Sequence, residues 1–306
     1  MALSPGHERA AARRTGGSRI ARIALLAGGV AVLAMAFAMG WLKAHEGELV
    51  FAAARSRQHL LTELPPDAER VTVPEPGGVA LAGVVYRAGA DADSGFWMLH
   101  LHGNADSAFS QWQLRHCEAL RRSGFSVLEI DYRGFGLTPG EPSEAGMYED
   151  SEAAFQELLR RGVPPNRIIL LGHSLGSGPA VWLAGRHAAA ALVLFGAFTS
   201  IPDAAAGRYP YLPVRLVVAV RFDSLSRIGA VHMPVAVVHS TADTLIPYSH
   251  ALKLYAAAHE PKYLLTLDFP SHDGFGGHVD ALYEHTDVLR SVLSRLVPDM
   301  PPLGAP

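Results

Sequence analysis

Apolar residues along this chain of 306 residues fall into short runs separated by stretches in which they recur at helical spacing, and from about residue 70 the two patterns alternate. Val71–Val73 and Val79–Tyr86 flank Pro74-Glu75-Pro76-Gly77-Gly78, and two apolar runs around such a turn-rich stretch predict a hairpin. Further strands are expected at Phe96–Leu101, Ser126–Asp131, Ile168–His173, Ala191–Phe195, Val235–His239 and Tyr263–Asp268, with helices at Gln111–Ser123, Ser151–Arg161, Ser177–His187, Ser249–His259 and Val279–Leu296. Two antiparallel strands followed by strands separated by helices describe an α/β fold, a mostly parallel doubly wound sheet with helices on both faces. Residues 201–233 make a longer insertion between the strands near 191 and 235. It carries Tyr209-Pro210-Tyr211-Leu212-Pro213 and the apolar run Leu216–Val220, and reads either as a cap over the strand ends or as a plain crossover.

The amino-terminal pattern is different. Ile23 to Leu42 carries no charge, and its residues rise about 1.5 Å each in a helix, so the run spans about 30 Å of hydrocarbon. Arg9, Arg13, Arg14, Arg19 and Arg22 precede it and only Lys43 and Glu46 follow closely, so the positive-inside bias places the amino terminus in the cytoplasm and the following domain outside. A cleaved signal peptide is the alternative, because Ala34-Met35-Ala36 and Ala36-Phe37-Ala38 offer small residues at cleavage spacing. The run is longer than a signal core of about 7–15 residues, which favours a retained transmembrane helix. The expected organisation is a basic cytoplasmic segment at 1–22, a membrane anchor at 23–42, a connector at 43–69, an α/β domain at 70–298 and a disordered proline-rich tail at 299–306.

Composition narrows the function. Apolar residues make up 49% of the chain and charged residues 18%, enough to fill the core of one large domain. The net charge is −3 although residues 1–22 hold five arginines against one glutamate, so the domain is acidic and lacks the basic stripe that nucleic acid requires. Cys117 is the single cysteine, which excludes an intrachain disulfide, and it lies in a helical run where such residues are usually packing groups.

Gly172-His173-Ser174-Leu175-Gly176 lies between the apolar run Arg167–Leu171 and the small residues Ser177-Gly178-Pro179-Ala180. A G-x-S-x-G sequence at a strand-to-helix turn is a nucleophile elbow: it exposes a serine at the sheet's end where a base can take its proton. The acid is expected after a later strand and the histidine after the last. Asp243, in a turn beyond Val235–His239, fits the acid, which orients the imidazole and stabilises the imidazolium. Two histidines, His272 and His278, lie in the loop after the last strand. Gly276-Gly277 gives the backbone freedom to turn the ring of His278 toward the serine, which favours it as base. The oxyanion needs two aimed N–H groups. Leu175 supplies one, and the loop His102-Gly103-Asn104-Ala105 the other, through Asn104 with Ala105 in reserve. His278, Asp280, His285 and Asp287 recur at helical spacing, a pattern read as a solvated face rather than a metal site. No metal or organic cofactor is expected.

Taken jointly, these residues resemble the α/β-hydrolase-domain serine hydrolases, in particular a membrane-anchored branch that includes protein depalmitoylases and lysophospholipid lipases. The resemblance covers roughly residues 70–296. It is carried by His102-Gly103-Asn104-Ala105, Asp131-Tyr132-Arg133-Gly134-Phe135-Gly136, Pro139-Gly140-Glu141-Pro142, Gly172–Gly176, Phe198-Thr199-Ser200, Arg221-Phe222-Asp223-Ser224, the Asp243 turn and Gly277-His278-Val279-Asp280. The last segment looks like the family's catalytic-histidine motif and implies His278, although His272 lies nearer the family's usual spacing from the acid. Asp131–Gly134 is similar to a segment that shapes the strand end. Ser240 and Val279 depart from the residues common in the family, a glycine and an asparagine, which bears on substrate fit.

The expectation is therefore a serine hydrolase that cleaves a carboxylic ester or thioester of a small or lipid-like acyl substrate, held at a membrane by its amino-terminal helix. A peptidase or acyltransferase would use the same three residues, and a catalytically silent binding module is the rival from another class.

Overall fold

The structure, a computed structural model, describes residues 6–58, 60, 61, 63–89, 93–268 and 274–301. Its amino-terminal part is helical: α1 (Gly6–Ala44), α2 (Glu46–Val50) and α3 (Ala53–Ser56). The hairpin β1 (Ala68–Pro74) and β2 (Ala80–Tyr86) follows, then β3 (Phe96–Leu101), α4 (Gln111–Arg122), β4 (Phe125–Ile130), α5 (Glu144–Arg160), β5 (Ile168–His173), α6 (Ser177–Ala184) and β6 (Ala191–Phe195). The insertion holds α7 (Ile201–Arg208), α8 (Val214–Val217) and α9 (Ser224–Arg227), and the chain closes with β7 (Val235–Ser240), α10 (Ser249–Ala257), β8 (Lys262–Leu267) and α11 (Thr286–Leu296).

The eight strands form one sheet in the order β1-β2-β4-β3-β5-β6-β7-β8, with β1 and β2 antiparallel and β3 to β8 parallel. Alternate side chains of each central strand enter opposite layers. Leu170, Leu192, Leu194 and Val237 pack with Phe155, Leu158, Val181 and Leu254 of α5, α6 and α10. Ile169, Leu171, Val193 and Val238 pack with Leu114, Leu120, Leu289 and Leu293 of α4 and α11. Each fully buried side chain of this size stabilises the fold by about 1.5–3 kcal/mol, so the layers favour a single register. Register also sets up the site: Leu101 of β3 and Leu194 of β6 both pair with Gly172, so the residues following β5 emerge at the carboxyl edge between two neighbouring strands.

Two helices begin away from their expected positions. The α5 helix starts at Glu144 because Ser143 caps it, its hydroxyl accepting the Gly146 amide at 3.0 Å, so the residues before Ser151 are helical as well. The last helix starts at Thr286 instead of Val279. Gly274, Gly276 and Gly277 have positive φ, and the Asp280 carbonyl accepts the Tyr283 and Glu284 amides, so the chain turns here before helix propagates.

Ala21–Ala44 of α1 is long and apolar enough to cross a membrane. Residues 21–37 are exposed, and partial burial of the helix begins at Ala38 among its described side chains. His272 and residues 302–306 of the expected tail lie outside the described residues.

Candidate active site

Ser174 sits in the turn between β5 and α6 with φ of 50°, the left-handed region that costs a residue with a Cβ about 1–2 kcal/mol. The flanking glycines make that turn possible. A Cβ on Gly172 would lie 2.6 Å from the Ala180 Cβ, and one on Gly176 would lie 2.0 Å from the Leu101 carbonyl oxygen. The turn is therefore pressed against the end of β3, with the hydroxyl held at the edge of the sheet.

His278 reaches this hydroxyl from the far side of the sheet. Ser174 Oγ donates to His278 Nε2 at 2.9 Å, and His278 Nδ1 donates to Asp243 Oδ2 at 2.7 Å. The ring is buried, and its placement depends on two glycines. Gly276, with φ of 70°, passes so close to Ala242 that a Cβ would lie 1.8 Å from its carbonyl oxygen. Gly196, just after β6, leaves room for the ring: a Cβ there would lie 3.0 Å from Cε1 and Nδ1 of His278. Ser240, one of the departures from the family pattern, ties the acid turn to this loop by donating to the Gly276 carbonyl at 2.5 Å.

Asp243 is held on both oxygens. Oδ1 accepts the Leu245 and Ile246 amides, each at 2.8 Å, and Oδ2 accepts His278 together with His239 Nε2 at 3.1 Å. Burial pushes its carboxyl toward the neutral form, but the hydrogen bonds from His239, His278 and the backbone outweigh that, and its pKa falls below the usual carboxylate range. A carboxylate so fixed stays ionised and keeps the Nδ1 proton of His278 in place.

Two supporting histidines were not singled out from the sequence. His239 at the end of β7 donates to both the Ile246 carbonyl and Asp243. His173, the second residue of the elbow motif, donates from Nε2 to the His278 carbonyl at 2.9 Å. Burial, reinforced by His278 and His116 nearby, drives its pKa well below that of an ordinary histidine, which keeps the ring neutral. The signal was present in the motif, but nothing local indicated what a histidine there would meet.

The loop after β3 lies against the elbow, since a Cβ on Gly103 would sit 3.4 Å from the Ser174 Cβ. The Ala105 amide, the reserve donor of this loop, donates to Asn104 Oδ1 at 3.1 Å. The Asn104 side chain is fixed in turn, accepting the Ala52 amide and donating to the Val50 carbonyl, both at 2.8 Å.

Residues 97–226 match the family model described as serine aminopeptidase, S33. The uncharacterized protein Rv2307c of Mycobacterium tuberculosis is 34% identical over 256 residues, 83% of this chain and 87% of that one. The chain belongs to the α/β-hydrolase family. The mouse α/β hydrolase domain-containing protein 17C is 35% identical over 164 residues, 53% of this chain and 49% of that protein. Among solved structures, the esterase Pf2001 of Pyrococcus furiosus superposes with a TM-score of 0.62 at 17% identity, covering 79% of this chain and 97% of that one, a likeness of fold.

In this α/β hydrolase a cavity of about 850 Å³ opens beside Ser174. Its walls come from Leu175, Asn104, Phe198 and Ile246, from the insertion, and from the end of α1. His278 and Asp280 are buried rather than on a solvated face, and they diverge: His278 faces Ser174 and Asp243, whereas Asp280 accepts from His116 Nε2 at 3.1 Å. His100, Cys117 and Glu129 do lie within 4.8 Å of one another in the core. Glu129 bonds with Gln113 and Cys117 and His100 Nε2 with Tyr283, while His100 Nδ1 lies 3.3 Å from Glu129 Oε1.

Proposed function

We propose that this α/β hydrolase is a membrane-tethered serine hydrolase that cleaves a carboxylic ester or thioester through an acyl-enzyme. The observation that carries this reading is the continuous hydrogen-bonded chain from Ser174 through His278 to Asp243. His278 takes the serine proton as Oγ attacks the acyl carbonyl, then gives it to the leaving alcohol or thiol. Water enters by the reverse sequence and releases the acid. Asp243 stabilises the imidazolium in both steps, and the amides of Leu175 and Asn104 receive the oxyanion, each donor worth about 2.7–4 kcal/mol in such sites.

The insertion at 201–233 acts as the cap of the acyl site, on the α/β domain at 70–298. The helix anchors the chain with its arginine-rich end in the cytoplasm and the hydrolase domain outside. Cleavage after Ala36 or Ala38 would remove most of the helix and leave only the residues that wall the cavity, which favours retention. The depalmitoylase- and lysophospholipase-like branch that the sequence resembles is favoured by the apolar lining of the site.

The family model's description favours a second reading, aminopeptidase activity. An aminopeptidase needs a carboxylate for the substrate's amine. Among the described residues the one carboxylate in the cavity wall, Glu46, is already engaged by Lys43 and the amides of Ala219 and Val220, which favours an acyl chain. Substituting Ser174→Ala in the full chain is expected to abolish both ester hydrolysis and fluorophosphonate labelling while the melting temperature is retained. A variant keeping most of the rate refutes the assignment, and turnover of amides over esters and thioesters favours the peptidase.

A further inference from the structure

We infer that the end of the amino-terminal helix is part of the substrate site: the carboxyl-terminal turns of α1 and the facing edge of the insertion form a slot through which a long acyl chain passes from the lipid bilayer to Ser174. This rests on the serine-hydrolase reading and adds the substrate class, a lipid-borne acyl ester or thioester, and its route.

The cavity beside Ser174 is continuous with Phe37, Ala38, Trp41 and Leu42 of α1 on one side and with Val217 and Val218 on the other. Its lining is predominantly apolar, and about 850 Å³ is near the upper end of the roughly 300–1,000 Å³ typical of ligand pockets, which suits a flexible chain better than a short acyl group. The same helix carries the apolar, exposed stretch that needs hydrocarbon around it, and Phe37 lies at the junction, 75% exposed although it lines the cavity. The mouth of the site therefore opens where the helix leaves the bilayer. Leu216, 83% exposed, adds apolar surface on the insertion beside Met39, Gly40 and Lys43 of α1.

The helix end is also fixed in position. Immediately beyond it the buried Glu46 carboxylate accepts the Ala219 and Val220 amides at 2.5 and 2.7 Å, and accepts from Lys43 Nζ at 2.8 Å. A few residues later the backbone of Val50 and Ala52 holds the side chain of Asn104. Helix, insertion and oxyanion loop are thus braced against one another, so the wall contributed by α1 has a defined distance from the serine.

The test uses the full chain reconstituted in phosphatidylcholine vesicles, with p-nitrophenyl butyrate and p-nitrophenyl dodecanoate as substrates. Ala38→Trp, from the helix side, and Val217→Trp, from the insertion side, each fill the slot. Either is expected to lower the ratio of dodecanoate to butyrate turnover at least tenfold, whereas Leu33→Trp, on the same helix but away from the cavity, leaves the ratio unchanged. A ratio unmoved by both slot substitutions, in variants that still label with fluorophosphonate, overturns the slot and leaves the hydrolase reading standing. Failure of the unsubstituted chain to turn over either ester or to label sinks the hydrolase reading and the inference with it.

Discussion

His173 Nε2 donates to the backbone carbonyl of His278 across 2.9 Å, joining the second residue of the elbow to the residue whose ring reaches the nucleophile. The end of β5, which carries the serine, is therefore tied directly to the loop after β8 that carries the imidazole. A shift of the loop carrying His278 breaks a buried hydrogen bond, which costs about 1–3 kcal/mol when the donor or acceptor is left unsatisfied.

His173→Phe keeps an aromatic ring against Phe195 but removes the donor. The expected outcome is a fall in kcat of about 10–100-fold, the rate equivalent of that cost, with little change in KM. Steady-state kinetics on a short ester checks it. An unchanged kcat in a folded variant would show that the loop is held by other contacts.

Acid should destabilise the protein in two stages. His173 and His250 have pKa values below the ordinary histidine value of 6.5, each chiefly through burial, so the unfolded chain takes up protons that the folded one refuses. Their contribution is complete above pH 6.5 and is lost as the pH falls below it, by up to about 1.4 kcal/mol per pH unit for each proton. Asp243 is also depressed. Its contribution is complete above 3.8 and is lost only in stronger acid, as the pH falls toward its folded value. Thermal melts from pH 8 to pH 3 should therefore fall first below pH 6.5 and again below about pH 4, and His173→Gln should flatten the first decline.

Gly176→Ala places a methyl group 2.0 Å from the Leu101 carbonyl oxygen, where backbone rather than a flexible side chain must move. A loss of about 1–3 kcal/mol or more is expected, together with displacement of Ser174. Chemical denaturation measures the first effect and the rate of fluorophosphonate labelling the second. A variant with wild-type values for both would mean that the turn tolerates a side chain.

Asn104→Ala leaves the backbone donor in place but removes the side chain that bonds to Val50 and Ala52. The loop loses its brace, and kcat should fall about 10–100-fold through poorer aim at the oxyanion, with a smaller change in KM. Asn104→Asp retains only the acceptor, so wild-type kcat/KM and thermal stability in that variant would locate the brace in the Ala52 amide, and losses equal to those of the alanine variant would locate it in the donor to Val50.

Local pattern was enough for much of this protein. The eight strands lie within a few residues of their apolar runs, because strand burial is written in consecutive side chains, and Gly172–Gly176 identified the turn because only glycines fit its flanks. The long uncharged run likewise defined α1 as a helix able to span a membrane. Other features depended on residues far apart in number. The meeting of the His278 ring with Ser174 depends on positive-φ glycines and on the place of β6 beside β5, a contact 104 residues apart that no window of sequence contains. The bracing of Asn104 by Val50 and Ala52, the bond from His173 to the His278 carbonyl, and the walling of the cavity by Phe37, Ala38, Trp41 and Leu42 have the same origin. Sequence periodicity records which face of an element is buried. What that face is buried against is fixed only when the sheet order and the turns bring distant segments together.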